Sequence, residues 1–579
     1  MIPTDIILFP PVFIMLAGAL VIALAPRKLR SSAFLLFTFM TLGYIWLLPE
    51  GSVVTAKVMD YTLTILKIDA LSKIFGIIFS FIVFAGGIYA FHIKDAGQQV
   101  AAILYAGGAL GVTFAGDFFT LFIFWEMMAF TSLYLIWARR NKEAQHAGFR
   151  YLIYHAFGGG MLFAGVLMRL AETGSIEITR LTPDGSIASW LILLGVIINA
   201  AVPPLHAWLA DAYPKATVTG AVFLSAFTTK SAVYVLIRVF PGWDILLILG
   251  VIMTLYGVVF AVLANDIRGI LAYHIISQVG YMVAGVGIGT EMALNGSAAH
   301  AFSHILYKAL LFMGAGVVLQ TTGKSKLTQL GGLAKAMPVT LGLYMVAAFS
   351  ISGFPLFNGF ISKSMVVSAA GAAHHDWAYL LLTLAAVGTF LSVGIKLPYF
   401  TWFSKEKPAD LNPTKPPKNM HIGMAIVGFF CFLHGVMPGL LYKLLPYQPV
   451  DFHPYNMPHL VESVQILTFT FIGFWVLRKV VAPHEGISLD FDWFYRRPKK
   501  YFQQLFVDAP SYIFDTAQKQ VETISASVSK IGTNPFNLFS KANSRDRAYT
   551  PDYYRPTGQT LLLAVLAIFV LVTIWGLFF

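Results

Sequence analysis

The sequence predicts an all-α integral membrane protein with about 16 transmembrane helices, and three observations predict it. Hydrophobic residues fill 57% of the 579 positions and charged residues only 12%, against roughly a quarter charged in an average globular domain. A soluble fold of this size could not hide so much apolar surface. The apolar residues fall into runs of about 20, the length a helix needs to cross the hydrocarbon core. The basic residues gather in alternate gaps between those runs, as the positive-inside bias requires.

In chain order the runs lie at 5–25, 31–49, 70–91, 98–115, 118–138, 148–170, 188–209, 217–238, 244–264, 268–290 and 297–320, then at 338–370, 377–403, 421–443, 459–480 and 559–579. The first lacks the basic flank and small-residue cleavage site of a secretory signal, so it is expected to stay as a membrane helix. Arg27, Lys28 and Arg30 follow the first run; Arg139, Arg140 and Lys142 follow the fifth; Lys324, Lys326 and Lys335 follow the eleventh. Lys405, Lys407, Lys415 and Lys418 follow the thirteenth. Every one of these clusters comes after an odd-numbered run. Odd loops are therefore expected in the cytoplasm and both termini outside, in a multi-pass protein of the cell inner (cytoplasmic) membrane.

The formal net charge of +12 is spread over these loops, so no basic patch marks a nucleic-acid partner. Cys431 is the only cysteine. That excludes an intrachain disulfide, a cysteine-built metal site and an Fe–S cluster. No cofactor and no metal site is expected, and the chain itself is expected to carry no electrons.

Residues 482–558 are polar, basic and too charged to span. Within them Ile513, Ala517, Val521, Ile524, Val528 and Ile531 recur at spacings of three and four, an apolar stripe along one helical face. Two readings stand. The helix lies on the membrane face as a shield, or it is a strap, anchored by the last run, that braces the bundle or a neighbouring subunit.

Charge inside a span is expensive, so ionisable residues at membrane depth call for a functional or pairing reason. Glu126 sits mid-run in FIFWEMMAF, Lys230 in SAFTTKSAVYVL, Lys363 in NGFISKSMVV and Lys396 in SVGIKLPYF. In HAFSHILYK, His300, His304 and Lys308 recur every four residues and share one helical face. One buried lysine could snorkel to the headgroups; several near mid-span cannot. Carboxyl, imidazole and amine groups brought into low dielectric can gain and lose protons near neutrality, so these residues are expected to form a pathway for protons or sodium ions. The plainer alternative is histidines satisfied by neighbouring helices. Two runs also carry helix breaks: AAVPPLHAWLADAYP with Pro203, Pro204 and Asp211, and SISGFPLFNGF with Gly353, Pro355 and Gly359. Proline frees carbonyls that are tolerated at depth only against protein or a hydrated cavity. A pair of breaks in corresponding places of two halves hints at an inverted-repeat transporter.

Four stretches, VPPLHAWLADAYPKA, NDIRGILAYHIISQVGYM, HAFSHILYKALLFMGAG and ISGFPLFNGFISKSMVV, resemble the proton-conducting antiporter-like subunits. These occur in respiratory complex I, Mrp-type multisubunit Na+/H+ antiporters and membrane-bound hydrogenases. The resemblance covers about residues 60–405. AYHIISQVGYM and the later SLDFDWFYRRP look most like the D-type Mrp proteins and their hydrogenase relatives, and the polar segment before a final span is similar to the lateral helix of complex I's largest antiporter-like subunit.

The resemblance implies two inverted five-helix repeats, at about 98–240 and 241–405, preceded by N-terminal helices (1–97). They are followed by C-terminal helices (406–481), the lateral segment (482–558) and a final anchor (559–579). It implies that Glu126 is the membrane glutamate that pairs with a lysine, and that Lys230 is the eighth-span lysine. His300, His304 and Lys308 would be the central relay and Lys363 the exit-side lysine. Other membrane subunits, protons (with Na+ as an alternative or co-substrate) and lipid are the implied partners. The lysine usually found before the Pro-Pro-Leu-His motif is Asn199 here, and the proline before Asp211 is Ala210. An amide carries no proton, so the partner of Glu126 is left to Lys230 or Arg150, or the first half-channel is impaired.

Three functions are therefore weighed. The first is a proton or Na+/H+ translocating subunit of an antiporter or of a redox-driven complex of the NADH/quinone or hydrogenase type, with no catalytic chemistry of its own. The second is a structural subunit whose impaired channel anchors a partner. The third, an enzyme acting on lipid-linked substrates, lacks an acidic metal-binding cluster in the loops.

Overall fold

The computed structural model describes residues 8–183, 185–404, 408, 411–486, 488–533 and 558–578. Lys405 and Lys407 lie outside the described residues, as does the stretch 534–557 of the polar segment. The chain divides into two compact units, Met1–Asp492 and Trp493–Phe579.

The first unit opens with α1 (Val12–Leu24) and α2 (Arg30–Leu47), a hairpin of β1 (Val53–Val58) and β2 (Tyr61–Lys67), then α3 (Ala70–Tyr89), α4 (Ala96–Phe114), α5 (Phe118–Trp137) and α6 (Lys142–Thr173). Next come α7 (Ile187–Asn199), α8 (Ala207–Ala212), α9 (Val218–Ala226), α10 (Thr228–Val239), α11 (Asp244–Leu263), α12 (Ile267–Ile288) and α13 (Glu291–Thr322). It closes with α14 (Pro338–Ser352), α15 (Asn358–Ala372), α16 (Asp376–Thr389), α17 (Lys418–Val436), α18 (Pro438–Tyr442) and α19 (Met457–Leu477). Each of the sixteen apolar runs contains helix. Among the described residues 11 helices are long and apolar enough to cross a membrane. The shorter apolar helices include α1, α7 and α14.

The few polar loop residues explain where helices start. Asp69, Asp95, Asp117, Asn141, Thr217, Asp266 and Thr290 each accept a backbone N–H from the first turn of α3, α4, α5, α6, α9, α12 and α13. These caps satisfy donors that the helix cannot, which matters most where lipid offers no substitute. Among the described residues the hairpin is the one β-sheet in an otherwise helical chain. β1 carries Val53, Val54, Thr55 and Val58, and β2 alternates Thr62 and Thr64 with Tyr61, Leu63 and Ile65, residues that favour a pleated surface, and Met59 turns the corner at φ 54°.

Burial decides which helices form the centre. The continuous span of α9 and α10, together with α12 and α13, is almost wholly enclosed by protein. α11 and α12 pack so closely that a Cβ on Gly287 would lie 2.1 Å from the backbone nitrogen of Leu247, and one on Gly250 would lie 2.3 Å from that of Ala284. Small residues allow such contact between membrane helices. Arg268 ties the centre to the broken helix: its guanidinium donates to the carbonyls of Tyr213 (2.9 Å), Ala216 (3.0 Å) and Thr217 (3.2 Å).

Two stretches share local features in step. α6 and α13 are both 32 residues long and end at left-handed glycines, Gly174 and Gly323, with φ 68° and 72°. Asp117 and Asp266, which cap α5 and α12, form isolated bridges to Glu177 and Lys326. The offset between these pairs is the same throughout, and at that offset His300, His304 and Lys308 of α13 fall on Tyr151, His155 and Gly159 of α6.

The two breaks expected from proline are present. Between α7 and α8 Ala201 takes φ 60°, and between α14 and α15 Gly353 takes φ 73°. Two further irregularities are present, the second with Pro398 between its two turns. Phe227 interrupts the span of α9 and α10, and α16 continues as π-turns over Phe390–Lys396 and Tyr399–Phe403.

The second unit holds α20 (Trp493–Arg496), α21 (Lys499–Gln503), α22 (Ala509–Thr533) and α23 (Gly558–Phe578). The apolar stripe from Ile513 to Ile531 lies on α22, where its side chains are exposed.

Candidate functional site

His300, His304 and Lys308 are fully buried on α13. Both ring nitrogens of His304 and the amine of Lys308 have no hydrogen-bond partner among the described residues. His300 is held from both sides: its Nδ1 lies 3.0 Å from Ser362 Oγ on α15, and its Nε2 lies 3.4 Å from the Tyr307 hydroxyl. Tyr307 donates to Gln278 Oε1 at 3.3 Å, and Gln278 Nε2 donates to Thr389 Oγ1 at 3.4 Å. One turn before Gln278 on α12, His274 Nε2 lies 2.6 Å from Ser392 Oγ in the π-turn. A buried polar line thus crosses α16, α12, α13 and α15.

The lysines sit at the helix irregularities, where carbonyls are freed. Lys363 donates to the Ile351 carbonyl across the α14–α15 break (2.8 Å) and lies 5.3 Å above the Tyr281 ring. Lys230 donates to the Ser225 carbonyl (2.6 Å) across the α9–α10 interruption and to Thr229 Oγ1 (3.1 Å). Lys396, at the end of the π-turn, donates to the Val262 carbonyl of α11 at 2.5 Å. Lys230, Lys308 and Lys363 all lie near enough to His304 for their charges to act on it. Five of the residues singled out from sequence, Lys230, His300, His304, Lys308 and Lys363, are therefore brought together. His274, Gln278, Tyr307, Ser362 and Ser392 were not singled out. His274, Gln278 and Tyr281 recur at spacings of four and three on α12, a signal that could have been read.

Glu126 stands apart on α5. Its Oε1 has no partner, and no charged group among the described residues bears on it. Its carboxylate lies against Gly159, where a Cβ would be 1.9 Å from Oε1. Arg150, a possible partner from sequence, is bound instead to Asp211 at 2.6 Å, with Lys215 2.8 Å from the same carboxylate. Asn199 is buried with its Oδ1 unpartnered. On α6, His155 stacks on Tyr151 at 3.9 Å, and Gly159 stands where α13 has Lys308.

A cavity of about 80 Å³ adjoins Lys363, lined by Ser364, Ser368, Tyr379, Thr383, His459 and Glu462. The Tyr379 hydroxyl donates to Glu462 Oε1 at 2.9 Å. Elsewhere, Asp490, from the polar segment after α19, reaches back into the bundle. It lies 3.1 Å from His206 Nε2, accepts from the Tyr273 hydroxyl at 2.7 Å and also bonds Tyr256. Burial pushes the Asp490 carboxyl up, but the His206 bond and charge and the two tyrosine hydroxyls outweigh it and hold it down at about 2.

The family profile described as NADH:quinone oxidoreductase/Mrp antiporter, TM, matches residues 115–391. A protein of Methanocaldococcus jannaschii is 31% identical over 357 residues, covering 58% of this chain and 73% of that protein. A Na(+)/H(+) antiporter protein of Alkalihalophilus pseudofirmus, one subunit of its complex, is 30% identical over 386 residues, 59% of this chain and 48% of that protein. The chain spans about half the length or less of the antiporter subunits among the curated relatives it matches. Among solved structures, a chain of the archaeal membrane-bound sulfane sulfur reductase superposes with a TM-score of 0.70 at 22% identity, over 97% of this chain and 99% of that one. A chain of the Mrp complex from a Dietzia species gives 0.66 at 22% identity, over 80% and 98%. This chain is a member of the NADH:quinone oxidoreductase/Mrp antiporter family of membrane proteins.

Proposed function

We propose that this chain is a proton-translocating subunit, with Na+/H+ exchange as one form of that activity, of a multisubunit membrane complex. The single observation that carries the reading is the pair His304 and Lys308. Three nitrogens of titratable groups are fully buried with no partner among the described residues, and a buried polar atom without a protein partner calls for water. Amine, imidazole and water at one-turn spacing can pass a proton from one to the next. Each charge shifts the proton affinity of its neighbour by Coulomb interaction at low dielectric.

In this reading the pathway runs through Lys230, Lys308, His304, His300 and Lys363, with Lys396 at its far end. Glu126, in the first repeat, stands apart from this line. The chain would cross the inner membrane about sixteen times, with inverted repeats at about 98–240 and 241–405 and both termini outside. The shared offset of α6 and α13 supports the repeat. The apolar stripe of α22 and the membrane complexes that contain its structural neighbours support other membrane subunits as partners. The test is proton movement by the intact complex in vesicles. Lys308→Ala is expected to abolish it, and a wild-type rate in that variant removes Lys308 from the mechanism.

A second reading is favoured by the first repeat: a channel impaired on that side, in a subunit that anchors a partner. Gly159 stands where α13 has Lys308, Asn199 stands where the family usually has a lysine, and Glu126 has no cationic partner among the described residues. Glu126→Gln separates the two, since the anchor reading expects proton uptake by the complex to be unchanged.

A further inference from the structure

Asp490 lies more than two hundred residues from its partners, in a polar segment that composition alone would leave on the surface, yet it is the bridge between two parts of the bundle. His206 belongs to the break between α7 and α8, while Tyr256 and Tyr273 belong to α11 and α12. The burial of the pair is graded. The His206 side chain is 0% exposed and that of Asp490 is 9% exposed, so the carboxylate sits at the rim and the imidazole beneath it. The imidazole is satisfied on one side only: Nε2 faces the carboxylate and Nδ1 has no partner among the described residues.

We propose that His206 and Asp490 form a proton-exchange site separate from the Lys308 line, through which a proton from solvent reaches the first broken helix. The inference rests on the proton-translocating reading above. Asp490 supplies a fixed negative charge and His206 takes and passes the proton. A proton reaching the carboxylate moves to Nε2 and makes an imidazolium. Loss of the Nδ1 proton to water on the inner side returns the neutral ring. One proton arrives for each that leaves and no other bond changes; the ring is then the Nε2–H tautomer, and its rotation, which turns the bare Nδ1 to the carboxylate and Nε2–H to the inner side, readies it for the next proton. Imidazole suits this task because its two nitrogens can accept on one side and release on the other, whereas an arginine would hold the carboxylate permanently.

The surroundings fit. Tyr256 and Tyr273 donate to the carboxylate, and Asp492 lies near enough for its charge to act on both tyrosines. On the helix of His206 itself, Asp211 is already neutralised by Arg150 and Lys215. Asp490 is thus the one carboxylate bonded to the ring among the described residues.

The experiment measures proton movement by the intact complex in vesicles for wild type, Asp490→Asn and Asp490→Glu, with and without added imidazole or formate. Asn keeps the shape and removes the charge. Asp490→Asn is expected to slow transport at least about tenfold, the low end of what a positioned proton-transfer group contributes, with normal assembly. The small buffers should recover much of the rate, and Glu should largely restore it. A wild-type rate in Asp490→Asn overturns the site, and so does a slow rate that no buffer rescues. If Asp490→Asn fails to assemble, His206→Gln takes its place with the same readout, and failure of both marks the pair as structural and overturns the proposal. Wild-type complex that moves no protons overturns the parent reading instead.

Discussion

The carboxylate of Glu126 rests on Gly159, close enough that a single methyl on that glycine would fall 1.9 Å from Oε1. At the shared offset of the two long helices, Gly159 stands where Lys308 stands on α13, so the glutamate fills space that an amine side chain would need. Gly159→Ala must displace the carboxylate, which can swing because it is the far end of a flexible chain. The variant is expected to assemble and lose about 1–2 kcal/mol, as modest overpacking does. Glu126→Ala removes the clash, so the double variant should lose less than the sum of the singles. Thermal unfolding of the purified complex for all four forms checks this, and strict additivity would sever the link between the two residues.

Lys308 offers a sharper separation of folding from function. Its amine is fully buried and unpaired, a state that burdens the fold whenever it is charged. Lys308→Met keeps the length and apolar stem and removes the polar end. The expected result is a complex of equal or greater stability, by about 1 kcal/mol or more, that moves no protons. A structural lysine would give the reverse, with lowered stability and transport in proportion to surviving complex.

How much of this was legible in the sequence differs by residue. The apolar runs were legible because lipid accepts little else, and the His300, His304 and Lys308 face because helical periodicity puts every fourth residue in line. The breaks at Pro203–Pro204 and Gly353 were legible because proline and glycine act locally. Phe227 was not, because nothing in its side chain forbids a regular helix; the π-turns flank Pro398, a local signal left unread, and the carbonyls that Lys230 and Lys396 take up are freed only by the fold. The isolation of Glu126 was hidden for the same reason, since Arg150 was equally available until Asp211 engaged it. Asp490 reads as one more charge in a polar segment, and only the chain's return to α8, α11 and α12 shows otherwise.

Arg268 is expected to tolerate no other cation. It is 1% exposed and its fork meets three carbonyls at the end of the broken helix. A lysine offers one point of donation and cannot span them. Arg268→Lys should therefore leave buried acceptors unmet and lower stability by about 2–3 kcal/mol. Reduced assembled complex and an earlier thermal transition would show it, and an unchanged transition would mean that the carbonyls find other donors.

The cavity beside Lys363 makes the last prediction. At about 80 Å³ it has room for roughly two or three waters, taking about 30 Å³ for each, and it links the amine to His459 and Glu462 at its wall. Ser364 lines it and bonds only backbone of its own helix, the carbonyls of Phe360 and Ile361, so that position can change without breaking a contact between helices. Ser364→Leu should fill the space with hydrocarbon and strip Lys363 of its water, while Ser364→Ala should leave the space open. Transport by the intact complex is expected to fall at least about tenfold in the leucine variant, since a proton step loses its carrier. The alanine variant should stay near wild type, with neither form less stable. Equal rates in the two variants would mean that protons reach Lys363 by another way and that the cavity is only a packing gap.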